Sequence, residues 1–360
     1  MKKCFFALLM IALSLNAAYA GKLVITKYPT ATGIPDAEVA EQFNKTIAEL
    51  NKNAGISKLG KQNNLAKGMA NANASCYSGG SLYTNTDMNV FSYSLGLSLG
   101  GQWPEGGTDE LKGIVNDEGD AYTGIGWNTS FVNIGISGKK INGLPQGDKM
   151  FAVIKMGGFS QTLFEGEEYE VGLKNRSFGF NYYYNLQDFP LKDKNFSTRP
   201  LAVGIGLHYI SNVTSMQTTP NQETTTEGAY VATYKVNTTN KLSFDSYSVV
   251  IPVDVMTSAK AVGFINLFGG TGLDFAFGST EVGVNSTSKT SIVDSSGKNI
   301  QTTEGKIKLS SGTTTSSPMI VNPKVVIGFG VDIVGGKFEI PFTYYPARGM
   351  SIGMTFGYVM

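Results

Sequence analysis

The chain of 360 residues contains little of what most catalytic and metal sites are made of. It has one histidine, His208, and two cysteines, Cys4 and Cys76. No His, Cys, Asp and Glu residues show metal-ligand spacing, and hydrolases of the Ser-His-Asp type need a histidine beside their nucleophile. We therefore expect no enzyme activity, no metal and no cofactor. His208 could serve a buried Ser or Asp, but we expect it to hydrogen-bond within the protein.

Charge and long apolar runs are also scarce. Only 16% of the residues are charged, against roughly 25% in an ordinary soluble domain. The formal net charge of +1 predicts no electrostatic attraction to nucleic acid. No segment reaches the roughly 20 consecutive apolar residues of a membrane-spanning helix. These absences exclude a helical membrane protein and a nucleic-acid-binding protein.

The N-terminus has the pattern of a secretory signal peptide at residues 1–20. Lys2 and Lys3 precede an apolar run, and Ala18-Tyr19-Ala20 is a small-x-small cleavage site. Cleavage after Ala20 would remove Cys4 and leave Cys76 alone, unable to form an internal disulfide. Cys76 is then either a reduced, shielded residue or a thiol for reaction or intermolecular pairing.

The last strand shows what the chain has in abundance, which is alternation with a period of two. One face of this segment is small or weakly polar and includes Thr355. Successive side chains of a strand leave opposite faces, so an apolar face opposite a small face is typical of a strand between lipid and a barrel lumen. The predicted lipid-facing residues are Ile352, Met354, Phe356 and Tyr358.

The same alternation recurs from about residue 90 onward and predicts an all-β, transmembrane antiparallel β-barrel over residues 81–360. We expect about twelve strands, with ten to fourteen possible, since short alternating runs are easily missed or split. The closing strand should pair with the first strand at residues 90–100, which removes both free edges. In residues 201–210, Gly204, Gly206 and His208 share the face that we assign to the lumen.

Residue types predict where the strands turn and where they are irregular. Gly335-Gly336 predicts a two-residue hairpin, and residues 237–240 (Asn-Thr-Thr-Asn) predict a tight turn. Pro252 predicts a strand end or a bulge, and a register switch within residues 122–136 predicts a bulge. Two long segments rich in Ser and Thr, residues 211–228 and 279–319, are expected as extracellular loops. The second is expected to contain a protruding hairpin.

Residues 21–80 precede the barrel and are predicted to be extended and helical. A helix over residues 36–55 would carry one narrow apolar stripe, and a weaker helical segment covers residues 57–74. This region either fills the lumen as a plug or lies in the periplasm; the narrow stripe favours the lumen. The stripe consists of Val39, Phe43, Ile47 and Leu50.

These residues resemble the Gram-negative outer-membrane β-barrels. The alternating Ile352, Met354, Phe356 and Tyr358 look like the C-terminal signal of that class, although Met360 stands where a terminal aromatic residue is usual. The resemblance implies an outer-membrane location with loops at the cell surface. It also implies contact with outer-membrane lipid and recognition of the last strand by the barrel-assembly machinery.

A narrower resemblance is to the spirochaete surface proteins of the leptospiral surface-adhesin type. It rests on residues 35–53 with Phe43-Asn44, on Gly79-Gly80-Ser81-Leu82-Tyr83 and on the strand at residues 91–100. That family is reported to bind host extracellular-matrix proteins. The helical segment before a barrel is also similar to the long-chain fatty-acid transporters, but their Asn-Pro-Ala signature is absent.

Two functions follow as expectations. The first is a surface antigen or adhesin that binds host or environmental macromolecules through its long loops. The second is a plugged porin or transporter that passes small or apolar solutes. Long loops favour the first and a helical plug favours the second.

Overall fold

The fold is known from a computed structural model that describes most of the barrel and part of the preceding segment. The described residues are 23–27, 37, 40–41, 44–45, 62–79, 91–102, 124–141, 143–165, 169–187, 192–193, 196–198, 201–218, 221–226, 232–261, 264–294, 299–301, 306–309, 313–334, 336–347 and 349–359. The predicted apolar stripe of Val39, Phe43, Ile47 and Leu50 lies outside them, as does the predicted signal peptide.

Seventeen strands and one complete helix lie in the part of the chain that the structure describes. The helix, α1, is Gln62–Ala74 and is followed by a 3₁₀ turn at Cys76–Ser78; two further 3₁₀ turns are Gly138–Lys140 and Gly147–Lys149. The strands are β1 Leu23–Lys27, β2 Phe91–Gln102, β3 Gly124–Ser137, β4 Met150–Glu165, β5 Tyr169–Gln187, β6 Lys192–Asp193, β7 Phe196–Thr198, β8 Leu201–Thr218, β9 Asn221–Thr226, β10 Ala232–Ala261, β11 Ile265–Asp294, β12 Asn299–Gln301, β13 Lys306–Leu309, β14 Thr313–Ser316, β15 Val321–Ile333, β16 Gly336–Tyr345 and β17 Gly349–Val359.

Ten of these strands close into an antiparallel barrel in the order β2-β3-β4-β5-β8-β10-β11-β15-β16-β17. The predicted closing pair is confirmed, since β17 pairs with β2 from Gly349↔Gln102 to Val359↔Ser92. Closure leaves no free edge among these ten strands, which is the condition for a β-sheet to cross a membrane. Closure together with an exposed apolar outer face, which includes Leu207, Phe329 and Phe356, makes the protein a transmembrane β-barrel.

The two ends of the barrel differ. At the turn end lie the hairpin between β15 and β16 and the last residues of β17. At the opposite end, β10 and β11 continue past Thr218, the last residue of β8, and stay paired from Asn240↔Ser286 to Ala232↔Asp294. β9 adds to the edge of β10, and β12 adds to the edge of β11. We call these four paired segments the ribbon, and this side of the barrel the ribbon end.

The ribbon corrects several expectations. The barrel has ten strands, the lower limit of the predicted range. The tight turn expected at residues 237–240 is wrong, because these residues continue β10 and pair with β11. The segments 211–228 and 279–319, expected as loops, contain β8, β9, β11, β12, β13 and β14. Residues with turn-like composition form strands here because a paired neighbour satisfies their backbone groups.

Pro252 lies inside β10 and not at its end. The pairing of β10 with β8 is interrupted there, between Val250↔His208 and Val253↔Ile205, because proline has no backbone N–H to donate. A Cβ on Gly206 of β8 would lie 3.0 Å from the Cγ atom of Pro252, so the proline ring packs against a glycine. The bulge expected in β3 is present opposite Ser94 and Gly96 of β2.

The hairpin at the turn end lies one residue earlier than expected. Ile333 pairs with Gly336, so the connection between the two strands begins at Val334, and Gly336 already belongs to a strand. Val334 is 99% exposed and has φ 41°. A β-branched residue with positive φ is strained, because its Cβ crowds the backbone.

Replacing Val334 by asparagine should therefore stabilise the barrel by about 1 kcal/mol, since asparagine tolerates the left-handed conformation. Urea titration of folding into lipid vesicles, followed by the shift in gel mobility of the folded barrel, measures the change. Val334→Ala is the control, because alanine also removes the branch at Cβ but has no polar group that can hydrogen-bond locally in the left-handed conformation. A Val334→Asn variant that is no more stable than Val334→Ala contradicts this account of the turn.

The barrel wall has the two faces that the alternation predicts. Its inner face is buried and rich in small and polar residues, and its outer face is apolar. No helix in the described part of the chain is long and apolar enough to span a membrane. Exposed outward-facing residues include Tyr93, Leu95, Phe178, Phe180, Ile205, Leu207, Ile327, Phe329, Ile352, Met354, Phe356 and Tyr358.

Candidate functional site: the helix in the barrel lumen

Helix α1 lies inside the barrel, directly against the wall formed by β2 and β3. A Cβ on Gly126 would come within 2.5 Å of the carbonyl oxygen of Ala72, and a Cβ on Gly124 would overlap the backbone of Gly68. A Cβ on Gly100 would lie 2.5 Å from the same Ala72 oxygen. Glycines in the wall and small residues in the helix thus allow the two backbones to touch.

A chain of amide side chains joins the helix to the opposite wall. Asn73 donates to Ser248 Oγ at 2.8 Å, and Asn212 donates to Asn73 Oδ1 at 2.6 Å. Asn175 donates to Asn212 Oδ1 at 2.7 Å, and the Thr129 hydroxyl donates to Asn175 Oδ1 at 3.0 Å. All five side chains are buried. Connected networks of this kind fix one arrangement, because each group left alone would be costly.

A buried charge cluster lies next to the 3₁₀ turn that follows α1. Lys324 Nζ is 2.5 Å from Asp254 and 2.7 Å from Asp274, and all three side chains are almost completely buried. Tyr77 donates to Asp274 Oδ1 at 2.8 Å, and Tyr345 donates to Asp274 Oδ2 at 2.9 Å. Lys324 also donates to the Tyr77 hydroxyl. Wall and plug therefore share one network of charge-assisted hydrogen bonds.

The end of the plug is held by a second lysine. Lys155 Nζ donates to the carbonyl oxygens of Tyr77 and Gly79 at 3.2 and 3.3 Å. Ser130 Oγ also donates to Gly79 at 3.3 Å, and Ser98 donates to the carbonyl of Cys76. These wall side chains satisfy carbonyl groups that have no partner within a short helix.

Apolar contacts also hold Tyr77 in its place against the wall. Ala74 and Tyr77 pack in one buried cluster with Ile210, Val250 and Ala276 of the wall. The Tyr77 ring also stacks on His208, with 4.8 Å between centroids and 32° between planes. Tyr77 thus combines an apolar ring contact with a polar tip, which is common for a buried tyrosine.

His208 is buried and hydrogen-bonds to Asn181 Oδ1 at 2.9 Å through Nε2. A Cβ on Gly179 would overlap the His208 ring, so glycine leaves room for it. These contacts match the structural role expected for this histidine, as a hydrogen-bonding group within wall and plug. Among the described residues, no three of His, Cys, Asp or Glu lie close enough together to hold a metal ion.

Cys76 is completely buried and donates to the carbonyl oxygen of Ala72 at 2.9 Å. Complete burial keeps solvent away from its thiol and disfavours the charged thiolate. Since the thiolate is the reactive form, the folded protein holds this cysteine in an unreactive state. Its thiol is consequently a natural reporter of whether the plug is seated.

The structure places the other sequence-derived site residues as follows. Thr355 is fully buried on the lumen face of β17. Gly204 and Gly206 lie on the lumen face of β8, against Tyr183 and Asn181. The predicted lipid-facing residues Ile352, Met354, Phe356 and Tyr358 have 46%, 40%, 52% and 50% of their surface exposed.

Sequence reasoning missed the charge cluster and the amide network. A signal was available, since Asp254, Asp274 and Lys324 each stand between two apolar residues in an alternating strand. That position assigns a charge to the lumen face, where it needs a partner. Strand order and register decide which charged side chains meet. The alternation of apolar and polar residues does not give either of them.

A closed, membrane-spanning barrel whose lumen is filled by an interlocked helix defines the class of this protein as a plugged transmembrane β-barrel. The family model described as Lsa36-like matches residues 18–358, and the chain belongs to this family. Comparison with curated proteins gives no match.

Similar solved structures are membrane barrels at low similarity. The translocator domain of the autotransporter NalP from Neisseria meningitidis is 12% identical, with a TM-score of 0.30, over 77% of this chain and 91% of that one. A Pseudomonas aeruginosa FadL homologue is 9% identical, with a TM-score of 0.21, over 80% of this chain and 97% of that one. At such scores these likenesses do not bear on function.

Proposed function

We propose that this protein is an outer-membrane surface protein that binds host or environmental macromolecules through its ribbon. The observation that carries the proposal is that β10 and β11 remain paired well beyond the end of β8. The eight residues from Ala232 to Thr239 extend the sheet beyond β8 by about 26 Å at roughly 3.3 Å per residue. Barrel stability does not require such an extension, since the ten strands are already closed.

The ribbon suits contact with another macromolecule for two reasons. Its sequence is dominated by Ser, Thr, Asn and Gln, which hydrogen-bond readily at a wet interface. Among the described strands, β9 pairs with β10 alone and β12 pairs with β11 alone. Each therefore offers a sheet edge, to which an extended segment of a partner can add.

The same proposal places the apolar outer face in outer-membrane lipid and the ribbon at the cell surface. The closing strand, with Phe356 and Tyr358, would be the segment that the barrel-assembly machinery recognises. The short hairpin at Val334 would then face the periplasm, as short turns of such barrels do.

Removing the ribbon tests the proposal without opening the barrel. Asn240 pairs with Thr218, and Gly283 pairs with Thr313. Residues 219–239 and 284–312 can therefore each be replaced by Asn-Gly, which forms a two-residue hairpin. We expect the full chain to bind immobilised laminin, fibronectin or collagen. The shortened barrel should insert and show normal gel mobility but should not bind these matrix proteins.

The matched control replaces residues 141–146, a connection at the turn end, with a Gly-Ser sequence. It should bind these matrix proteins as the unchanged chain does. Matrix binding that survives removal of the ribbon, or that is lost in the control as well, is incompatible with the proposed function. Absence of binding by the full chain to every macromolecule on the panel also counts against it.

A plugged pore is the second candidate, supported by the nature of the plug contacts. Helix α1 and the 3₁₀ turn that follows it are held by hydrogen bonds such as Asn212 to Asn73 and Lys155 to Tyr77. The wall behind it is polar, so displacement of the helix would expose a hydrophilic lumen. A chain lacking residues 21–74 should then conduct ions in planar bilayers where the full chain does not. If neither the shortened chain nor the full chain conducts ions, the protein is not a pore.

A further inference from the structure

The plug runs through the lumen in one direction. Strand β3 starts at the ribbon end with Gly124, which is next to β2 Gln102, and descends to Ser137 at the turn end. Gly124 lies against Gly68, and Gly126 lies against Ala72. Further down, Ser130 bonds to Gly79. The chain therefore enters the lumen at the ribbon end and descends from residue 68 to residue 79.

Contacts with other strands give the same direction. Gly100, close to the ribbon end of β2, lies against Ala72 and Ser75, whereas Leu97, farther down, lies against Gly79. Asn71 Oδ1 accepts a hydrogen bond from the backbone N–H of Met319, in the connection at the ribbon end between β11 and β15. From Gly79 the chain continues to β2, which begins at the turn end where Ser92 pairs with Val359.

Strand β1, which precedes the helix in the chain, lies at the ribbon end as well. Strand β1 pairs with β13 in the register Leu23↔Leu309, Val24↔Lys308 and Ile25↔Ile307. Strand β13 belongs to the connection between β11 and β15, on the same side as the ribbon. Both β1 and the start of α1 are thus on one side of the barrel, and the start of β2 is on the other.

We propose that the polypeptide is threaded through its own barrel, so that β1 lies on the same side of the membrane as the ribbon. Strand β1, docked on β13, then forms part of the displayed surface, and α1 is the stretch of chain that remains in the lumen. The side that both occupy, the cell surface, rests on the proposed function. That they share a side rests on the strand register and the plug contacts.

Threading follows from what the lumen can hold. An extended or helical segment in a membrane must satisfy every backbone polar group internally. The wall does so here, through donors such as Lys155 and Ser130 to the carbonyl of Gly79. A route around the outside of the barrel would expose those groups to lipid. The lumen is therefore the path by which the chain connects β1, at the ribbon end, to β2, which begins at the turn end.

Cysteine labelling of intact cells tests the threading. In a Cys4→Ser, Cys76→Ala background, three single variants are compared: Lys27→Cys for β1, Ser317→Cys for the ribbon end and Val334→Cys for the turn end. Ser317 is exposed in the connection that leads to β15. The probe is a membrane-impermeant maleimide. We expect Lys27→Cys to label as Ser317→Cys does, fully on intact cells, and Val334→Cys to label after lysis alone.

The two reference positions separate this inference from the proposed function. Lys27→Cys that labels together with Val334→Cys overturns the threading, whichever side is outside. Val334→Cys labelling on intact cells, while Ser317→Cys and Lys27→Cys do not, overturns the proposed orientation but keeps the threading.

A disulfide provides a second measurement that does not depend on accessibility. Val24→Cys with Lys308→Cys joins paired residues of β1 and β13 and should crosslink under mild oxidation. Val24→Cys with Leu309→Cys is out of register and is the control, because neighbouring residues of a strand point to opposite faces. A crosslink in neither variant, or an equal yield in both, removes the support that the β1–β13 pairing gives to the threading.

Discussion

Replacing Lys324 by methionine should destabilise the folded barrel by about 3–5 kcal/mol, the cost of leaving a buried charge without its partner. The lysine lies between Asp254 and Asp274, both of which are buried. Without it the two carboxylates repel each other, and Tyr77 loses one of its hydrogen-bond partners. Urea titration of folding into vesicles measures the loss, and gel mobility after heating should show unfolding at a lower temperature.

Two further variants make this result specific. Lys260→Met removes a partly exposed ion pair, that of Lys260 with Asp332 at 2.9 Å, and should cost at most about 1 kcal/mol. A triple variant, Asp254→Asn with Asp274→Asn and Lys324→Met, contains no unpaired charge and should recover part of the lost stability. If Lys324→Met destabilises the folded barrel no more than Lys260→Met does, the charge cluster does not hold the plug in the lumen.

A leucine at position 126 should displace the plug while the barrel stays closed. Gly126 faces the lumen, and even a Cβ there would come within 2.5 Å of Ala72. Overpacking of this kind typically costs about 1–3 kcal/mol, and the helix, which is held mainly by side-chain hydrogen bonds, can relieve the strain by moving. The expected results are rapid labelling of Cys76 by a maleimide under native conditions and a conductance in planar bilayers.

Gly101→Leu is the matched control for this experiment. It lies in the same part of the wall, in β2, but a Cβ there meets nothing within 4 Å. Cys76 should stay protected in this variant, as in the unchanged protein, and both variants should keep the gel mobility of a folded barrel. Protection of Cys76 in Gly126→Leu, with normal mobility and no conductance, would show that the helix is not displaced by crowding at this wall.

Alternation was sufficient to predict the barrel and the faces of its strands, because one strand residue determines the direction of the next. The closing pair of β17 with β2 also followed from the sequence, since a transmembrane sheet must leave no free edge. The bulge in β3 was visible as a switch of register. Each of these features depends on local pattern or on a rule that every membrane barrel obeys.

The lengths of the strands could not be predicted from the sequence in the same way. Asn237 and Asn240 are typical of turns, but in the fold they pair with Lys289 and Ser286 and continue β10. Pro252 is likewise tolerated inside a strand, because the interruption of pairing with β8 is local and a glycine lies beside the ring. Long-range pairing overrides local preference in strands more readily than in helices.

The last strand and the lumen that it faces show which features the sequence determined and which features required the tertiary structure. By itself the sequence determined that Ile352, Met354, Phe356 and Tyr358 face outward and that Thr355 faces the lumen, since that requires only a period of two. It also placed a helical segment ahead of the barrel. Only the tertiary structure decided that Gly68 and Ala72 lie on glycines of the wall, and that Tyr77 meets Asp274 and Lys324. Those contacts join residues far apart in the chain, and strand order and register decide which of them meet.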